Sequence, residues 1–229
     1  MPINLLLDQT DPPLIKRARC YERGALEELF NRNIDTVYVL AYALSGETAA
    51  AEQIAEAAFV QTLAKLHRFS GDGRGFGAWV LRLAATMIRR SGGEEGGIRS
   101  DYVRLSAQLK EILALRIFGG LDCERIAYLT HRPIPDVRLR LVEALRRLGQ
   151  GNRRGSEENL QSFDQAVSRV LTEPLPESFE LSAPDDAREL LAIAYTLADL
   201  PRQPLPTEAR LRLRSAFIAA SSSHRALWA

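Results

Sequence analysis

Apolar residues recur along most of the chain at intervals of three and four positions, which is the spacing of one buried face on an amphipathic α-helix. The longest such face lies between Gly24 and Ser45 and comprises Leu26, Leu29, Phe30, Ile34, Val37, Leu40, Ala41 and Leu44. The alternation of apolar and polar residues that marks a half-buried strand is nearly absent. The pattern therefore predicts an all-α protein.

Two glycine-rich, charged segments interrupt the helical pattern and predict where domains end. "SGGEEGGIRSD" follows the first group of helices, and "GQGNRRGSEEN" follows the second. Proline-rich spacers separate the remaining helices, so we expect two small helical domains and a C-terminal helical extension. The predicted bounds are 12–91 for the first domain, 92–101 for a linker, 102–149 for the second domain, 150–158 for a second linker and 159–229 for the extension.

The composition is that of an ordinary globular protein, with 46% hydrophobic and 26% charged residues. Cys20 and Cys123 lie far apart, and the histidines His67, His131 and His224 are scattered, so neither a metal site nor a cofactor is expected. The sequence lacks a P-loop, a nucleophile elbow, an HExxH helix and a dinucleotide fingerprint. We therefore do not expect an enzyme.

The N-terminal segment "MPINLLLDQTDPP" has only a very short apolar stretch and no basic residue before it, unlike a secretory signal peptide. No stretch approaches the roughly 20 apolar residues that a helix needs to cross a bilayer. A cytoplasmic protein without membrane insertion is therefore expected.

Basic charge is concentrated in one part of the chain. The net charge is +1, but residues 132–154 contain seven arginines against Asp136 and Glu143, a local charge of +5. Such a concentration is the electrostatic footprint of nucleic-acid binding. The solvated face of a helix has the same composition, so charge alone leaves both interpretations open.

The same part of the chain has the spacing of a helix-turn-helix. "EILALRIF" is followed by two glycines, by Asp122 as a candidate N-cap, by the short helix "CERIAYL" and, after a four-residue turn, by a basic amphipathic helix. The expected packing face comprises Ile126, Ala127, Leu129, Val137, Leu141 and Leu145. The arginines placed outward for phosphates and base edges are Arg138, Arg140, Arg146 and Arg147. A plain helical hairpin with a solvated arginine face is the alternative.

The ordered set of motifs resembles the bacterial sigma-70 family. "LSAQLKEILALRIFGGLDCERIAYLTHRPIPDVRLRLVEALRRL" is similar to sigma region 4, the helix-turn-helix domain. "ALEELFNRNIDTVYVLAYALSG", "AEQIAEAAFVQTLAKLHRF" and "FGAWVLRLAATMIRR" resemble the helical bundle of sigma region 2. Because no region 3 intervenes, the chain resembles the extracytoplasmic-function (ECF) type over roughly residues 14–148.

The resemblance implies a transcription-initiation protein whose partners are RNA polymerase core and promoter DNA. Region 2 of such proteins binds the coiled coil of the β′ subunit and opens the −10 element, and region 4 binds the β flap and reads the −35 element. The implied polymerase-binding residues are Glu52, Gln53, Glu56 and Phe59. The implied DNA-binding residues are Arg82, Arg89 and Arg90 in region 2 and Arg132, Arg138, Arg140, Arg146 and Arg147 in region 4. An anti-sigma factor is a further candidate partner, and the extension is expected to modulate the protein in cis.

Several positions depart from the family pattern and support a second interpretation. The departures are Gln53 and Ala57 in the polymerase-binding helix, Ala85 and Thr86 in the melting helix, and Arg125, Glu143 and Leu145 in region 4. Pro133 and Pro135 also remove two backbone N–H groups from a helix N-terminus that often grips phosphate. The alternative is a degenerate sigma-like protein that acts as a protein-interaction or regulatory module without promoter recognition.

Overall fold

The computed structural model describes residues 12–69, 75–88, 98–149, 160–172 and 185–228. Within these ranges every regular element is helical and no strand occurs, which confirms the all-α fold class. The helices are α1 Pro12–Arg19, α2 Arg23–Ser45, α3 Thr48–Lys65, α4 Phe76–Met87, α5 Ile98–Arg104, α6 Ala107–Leu113, α7 Cys123–Thr130, α8 Ile134–Leu148, α9 Leu160–Thr172, α10 Asp185–Ala198 and α11 Thr207–Trp228. Among the helices that the structure describes, none is both long and apolar enough to span a membrane.

The described helices group into two compact units. The first unit consists of α1–α4 together with α11, and the second consists of α5–α10. The C-terminal extension therefore contributes α9 and α10 to one unit and α11 to the other. Helix α5 begins at Ile98, within the segment interpreted from its glycines as a linker, because Tyr102 anchors it with a fully buried ring and a hydroxyl that donates to the Lys110 carbonyl at 3.2 Å.

Helices α2, α3 and α4 pack against one another to form the core of the first unit. The eight apolar residues expected on one face of α2 are all buried, each at most 2% exposed. Alanines at positions 51, 55 and 58 of α3 are fully buried, and their small side chains let the helices approach closely. Gly46 ends α2 in a left-handed conformation with φ 77°, and its N–H donates to the Tyr42 carbonyl at 2.8 Å.

Helices α7 and α8 of the second unit lie where the helix-turn-helix was predicted and pack against each other across a short turn. Asp122 is the N-cap of α7, where its carboxylate accepts a hydrogen bond from the Arg125 backbone N–H at 2.6 Å. His131 adopts φ 54° after α7, and Pro133 caps α8. The expected packing face is buried at Ile126, Ala127, Val137, Leu141 and Leu145, and only Leu129 is half-exposed.

Helix α6, which precedes α7, ends differently from what the sequence predicts. The helical spacing of apolar residues predicts one helix over Leu105–Phe118, but the chain widens into a π-helical turn over Ala114–Phe118. Gly119 then donates to the Ala114 carbonyl at 2.8 Å, and a Cβ at Gly119 would lie 2.5 Å from the Leu115 oxygen. Close backbone approach therefore explains the glycine at this position.

Candidate polymerase and nucleic-acid interfaces

The four candidate polymerase-binding residues all lie on α3 but differ in exposure. Gln53 and Glu56 are exposed, Glu52 is half-buried, and Phe59 is 1% exposed. The ring of Phe59 packs against Phe30 of α2, with their centroids 4.8 Å apart. Only the polar members of this predicted site therefore reach solvent in the described structure.

Helix α11 covers the buried part of this surface. The Phe217 ring lies 5.6 Å from the Phe30 centroid and 5.5 Å from the Phe59 centroid. Arg212 of the same helix donates a hydrogen bond to the Glu52 carboxylate at 2.8 Å. The apolar spacing of α11 signals a face that needs a partner, but periodicity does not say which surface it covers. Leu211, whose spacing with Leu213, Phe217 and Ile218 predicts a place on the same apolar face, is instead 50% exposed.

The candidate residues for promoter melting are only partly described. Arg82 lies half-buried on α4, while Arg89 and Arg90 lie outside the described residues. The helical spacing of Trp79 with Phe76 and Leu83 predicts a core residue. Its ring packs against Phe69 and Phe76, with centroids 5.1 and 5.8 Å away, and the residue is half-buried. The departures from the family pattern have local roles here, since Ala85 is fully buried and Thr86 donates to the Leu83 carbonyl at 2.8 Å.

Two carboxylates on α8 balance several of its arginines. Asp136 accepts hydrogen bonds from Arg140 at 2.9 Å and from Arg132 at 3.3 Å, and the Arg140 hydrogen bond holds the pKa of this carboxyl below its usual value. Glu143, the residue that departs from the family pattern, accepts from Arg147 at 2.6 Å. The surface of α8 therefore carries less net positive charge than its arginines suggest.

Two further residues of α8, Leu145 and Arg146, take no part in these ion pairs. Leu145 is fully buried, so the departure at this position contributes to the packing of the second unit. Arg146 is half-exposed and makes no ion pair with another described residue. Of the predicted DNA-binding arginines that the structure describes on α8, Arg146 is thus the one whose charge no described carboxylate offsets.

A buried ionic cluster joins the helix-turn-helix to α9. Asp164 of α9 lies 3.0 Å from Arg116 and 3.3 Å from Arg138, with both guanidinium groups donating to its carboxylate. The Arg116 side chain is 3% exposed and also donates to the Ser168 hydroxyl at 2.7 Å. Burial, followed by the neighbouring Asp164, raises the pKa of the Cys123 thiol to about 12. Asp164 lies on the same face of α9 as buried Val167. A charged residue on an otherwise apolar helix face was therefore the sequence signal for this cluster.

The arrangement offers surfaces for macromolecules. Among the residues that the structure describes, no group of three or more His, Cys, Asp or Glu side chains could hold a metal ion. The acidic and polar residues of α3 suit a basic partner, and the arginines of α8 suit an anionic one.

Part of the first unit is similar in sequence to sigma factors. The family model described as Sigma-70 region 2 matches residues 29–91. ECF RNA polymerase sigma factor BldN of Streptomyces coelicolor is 33% identical over 75 residues, which are 33% of this chain and 28% of that protein. The chain thus spans less than a third of this relative, and the resemblance of residues 102–149 to region 4 stays a prediction. The resemblance recognised in the sequence is confirmed for residues 29–91, which match sigma-70 region 2, and the chain is similar there to an ECF sigma factor.

Proposed function

We propose that this chain is a non-enzymatic transcription-initiation factor that acts in the cytoplasm, binds RNA polymerase core and directs it to promoter DNA. The observation that carries the proposal is the sigma-70 region 2 match over residues 29–91, which spans most of α2 and all of α3 and α4. The coiled coil of the β′ subunit is the proposed partner of α3, and the β flap is the proposed partner of the second unit. An anti-sigma factor is a further proposed partner.

Three residues of α3 support the proposed contact with polymerase. Glu52, Gln53 and Glu56 lie within two turns of one helix, and the last two are exposed. Carboxylates at such a surface steer association with a basic partner, and the neutral Gln53 weakens that steering.

The geometry of α7 and α8 supports the proposed contact with DNA. The second helix of a helix-turn-helix enters the major groove, and its outward arginines donate to phosphates and base edges. Arg140, Arg146 and Arg147 occupy such positions on α8, and Arg132 lies just before its N-terminus. Arg82, Arg89 and Arg90 are the proposed contacts of region 2 with the melted strand.

Modulation of promoter binding in cis is supported by the buried cluster around Asp164. This carboxylate on α9 engages Arg138, one of the proposed DNA-binding residues. An arginine held in a buried ion pair is withdrawn from phosphate, so α9 is proposed to lower the DNA affinity of the helix-turn-helix.

The ion pairs on α8 favour a second candidate function, that of a sigma-like regulatory module without promoter recognition. Glu143 offsets Arg147, and Asp136 offsets Arg132 and Arg140. Pro133 and Pro135 also lie at the N-terminus of α8, where backbone N–H groups otherwise bind phosphate. The two functions differ in whether the full chain opens any promoter.

In vitro transcription with core polymerase separates the two functions. The full chain is expected to support initiation, and the double variant Arg146→Ala/Arg147→Ala is expected to lose about tenfold or more in promoter affinity, since each charge-assisted contact contributes about 1.5–3 kcal/mol. Arg104→Ala, at an exposed side chain of α5, is the matched control and is expected to behave as the unmodified chain. Promoter binding should also weaken steeply with salt. If the full chain binds core but opens no promoter fragment, the regulatory module is the correct function.

A further inference from the structure

Helix α11 lies outside the residues that match sigma-70 region 2, and it makes an aromatic contact with that helical bundle. Phe217 inserts its ring beside Phe30 of α2 and Phe59 of α3, at centroid distances of 5.6 and 5.5 Å. The family match ends at residue 91, and α2, α3 and α4 already pack against one another. The α11 helix is therefore an addition to a region 2 bundle and not one of its core helices.

The ionic contacts of α11 point to the same surface. Arg212 pairs with Glu52 at 2.8 Å, and Arg210 pairs with Asp35 of α2. Both pairs are solvent-accessible: the Arg212 side chain is 61% exposed, and that of Asp35 is 56% exposed. A basic helix thus lies along acidic residues of α2 and α3, with the charge complementarity proposed above for polymerase.

The buried stripe of α11 is narrow. Among residues 207–223 of this helix, whose burial the structure describes, the buried ones are Ala209, Leu213, Phe217 and Ser221, one in each turn, and only Leu213 and Phe217 are large and apolar. A helix that is an integral part of a core buries a wider face, with three or four apolar residues in every two turns. Exposed ion pairs add little to such docking and are screened by salt.

From these contacts we propose that α11 is an intramolecular competitor of RNA polymerase core, occupying the α2–α3 surface through Phe217, Arg210 and Arg212 until core displaces it. The inference rests on the proposed function, because it takes Glu52 and Phe59 as part of the core-binding surface. It goes beyond cis modulation of DNA binding by α9, since it concerns the other unit and the other partner. Core binding and α11 docking are then mutually exclusive.

The first test measures the affinity of core polymerase for full-length variants. Phe217→Ala removes the ring that packs against Phe30 and Phe59, so a larger fraction of molecules has α11 undocked and the core-binding surface free. Core binding is therefore expected to tighten by about tenfold or more. Arg210→Asp replaces an attraction by a repulsion and is expected to tighten binding by about threefold. Arg214→Asp is the matched control, since Arg214 lies on the same helix and pairs with no described carboxylate, and it should leave the affinity unchanged.

Exchanging the charges of Asp35 and Arg210 separates the loss of α11 docking from a folding defect. Asp35→Arg alone should also tighten core binding about threefold, and the double variant Asp35→Arg/Arg210→Asp restores the pair and should return the affinity to that of the unmodified chain. Neither residue belongs to the candidate core-binding set, so restoration reports docking of α11.

Hydrogen exchange reports docking of α11 directly. Amides of residues 207–223 should lose protection in Phe217→Ala and in the unmodified chain when core is added. Equal core affinity of the unmodified chain and Phe217→Ala, or continued α11 protection in the core complex, overturns the competition and leaves the proposed function standing. Failure of every variant to bind core, while the α11 amides of Phe217→Ala are deprotected, overturns the proposed function itself.

Discussion

Asp164 of α9 accepts a hydrogen bond from Arg116 at 3.0 Å inside the second unit, and both side chains are almost completely removed from solvent. Arg138 of α8 completes the cluster from the other side of the carboxylate at 3.3 Å. One acidic residue of the C-terminal extension thus pairs with two arginines of the second unit. The second unit depends on α9 for this counter-charge.

Loss of the Asp164 carboxylate should destabilise the second unit strongly. Asp164→Ala leaves Arg116 buried without its counter-charge, and breaking such a pair costs about 3–5 kcal/mol. Ser168→Ala is the matched control, because it removes one neutral acceptor of Arg116 and should cost only about 0.5–1.5 kcal/mol. Pulsed thiol labelling of buried Cys123 along a urea gradient measures the difference. Similar unfolding midpoints for the two variants would contradict this account.

The two cysteines should react at very different rates. Cys20 is exposed, whereas Cys123 is buried and its pKa is raised to about 12, so almost no thiolate is present at Cys123 at pH 8. The Asp164 charge and hydrogen bond contribute to this rise, so Asp164→Asn should speed labelling of Cys123. Mass spectrometry after timed alkylation gives both rates. Labelling of Cys20 serves as the internal reference and should stay constant between the two proteins.

Stability should fall in acid through Asp136. Hydrogen bonds from Arg140 and Arg132 lower the folded pKa of this carboxyl below its ordinary value, so its contribution to stability is fully present above the pKa of the unfolded chain. The contribution is lost as pH falls through the lowered folded pKa, while the arginines stay charged. Asp136→Asn should therefore lose less stability than the unmodified chain between pH 7 and pH 3. Parallel urea titrations at several pH values test this, and identical acid profiles of the two proteins would exclude it.

Two glycines should respond oppositely to alanine. Gly119→Ala places a Cβ 2.5 Å from the Leu115 carbonyl oxygen and should cost about 1–3 kcal/mol through overpacking. In Gly24→Ala the nearest atom, an oxygen of Glu22, is 3.9 Å away, so helix propensity should stabilise α2 by about 0.5–1 kcal/mol. Thermal unfolding of the two variants measures both changes. A neutral Gly119→Ala would mean that the π-helical turn relaxes at no cost.

Local chemistry in the sequence was sufficient for the helices and for the helix-turn-helix. Asp122 was expected as an N-cap and forms that hydrogen bond, and Val137, Leu141 and Leu145 were expected in the packing face and are buried. These features depend on residues a few positions apart, where helical spacing and capping are predictable. The π-helical turn was missed, because the close contact between Gly119 and the Leu115 carbonyl depends on how the chain leaves α6.

The sequence by itself determined that this protein is helical and that residues 29–91 match sigma-70 region 2. Only the tertiary structure decided which surfaces the helices of the C-terminal extension cover. Arg210 and Asp35 are 175 positions apart, and Arg116 and Asp164 are 48 apart. Helical periodicity fixes the face of a helix but carries no information on its distant partner, because that choice depends on the shape and charge of surfaces that exist only after the chain has folded.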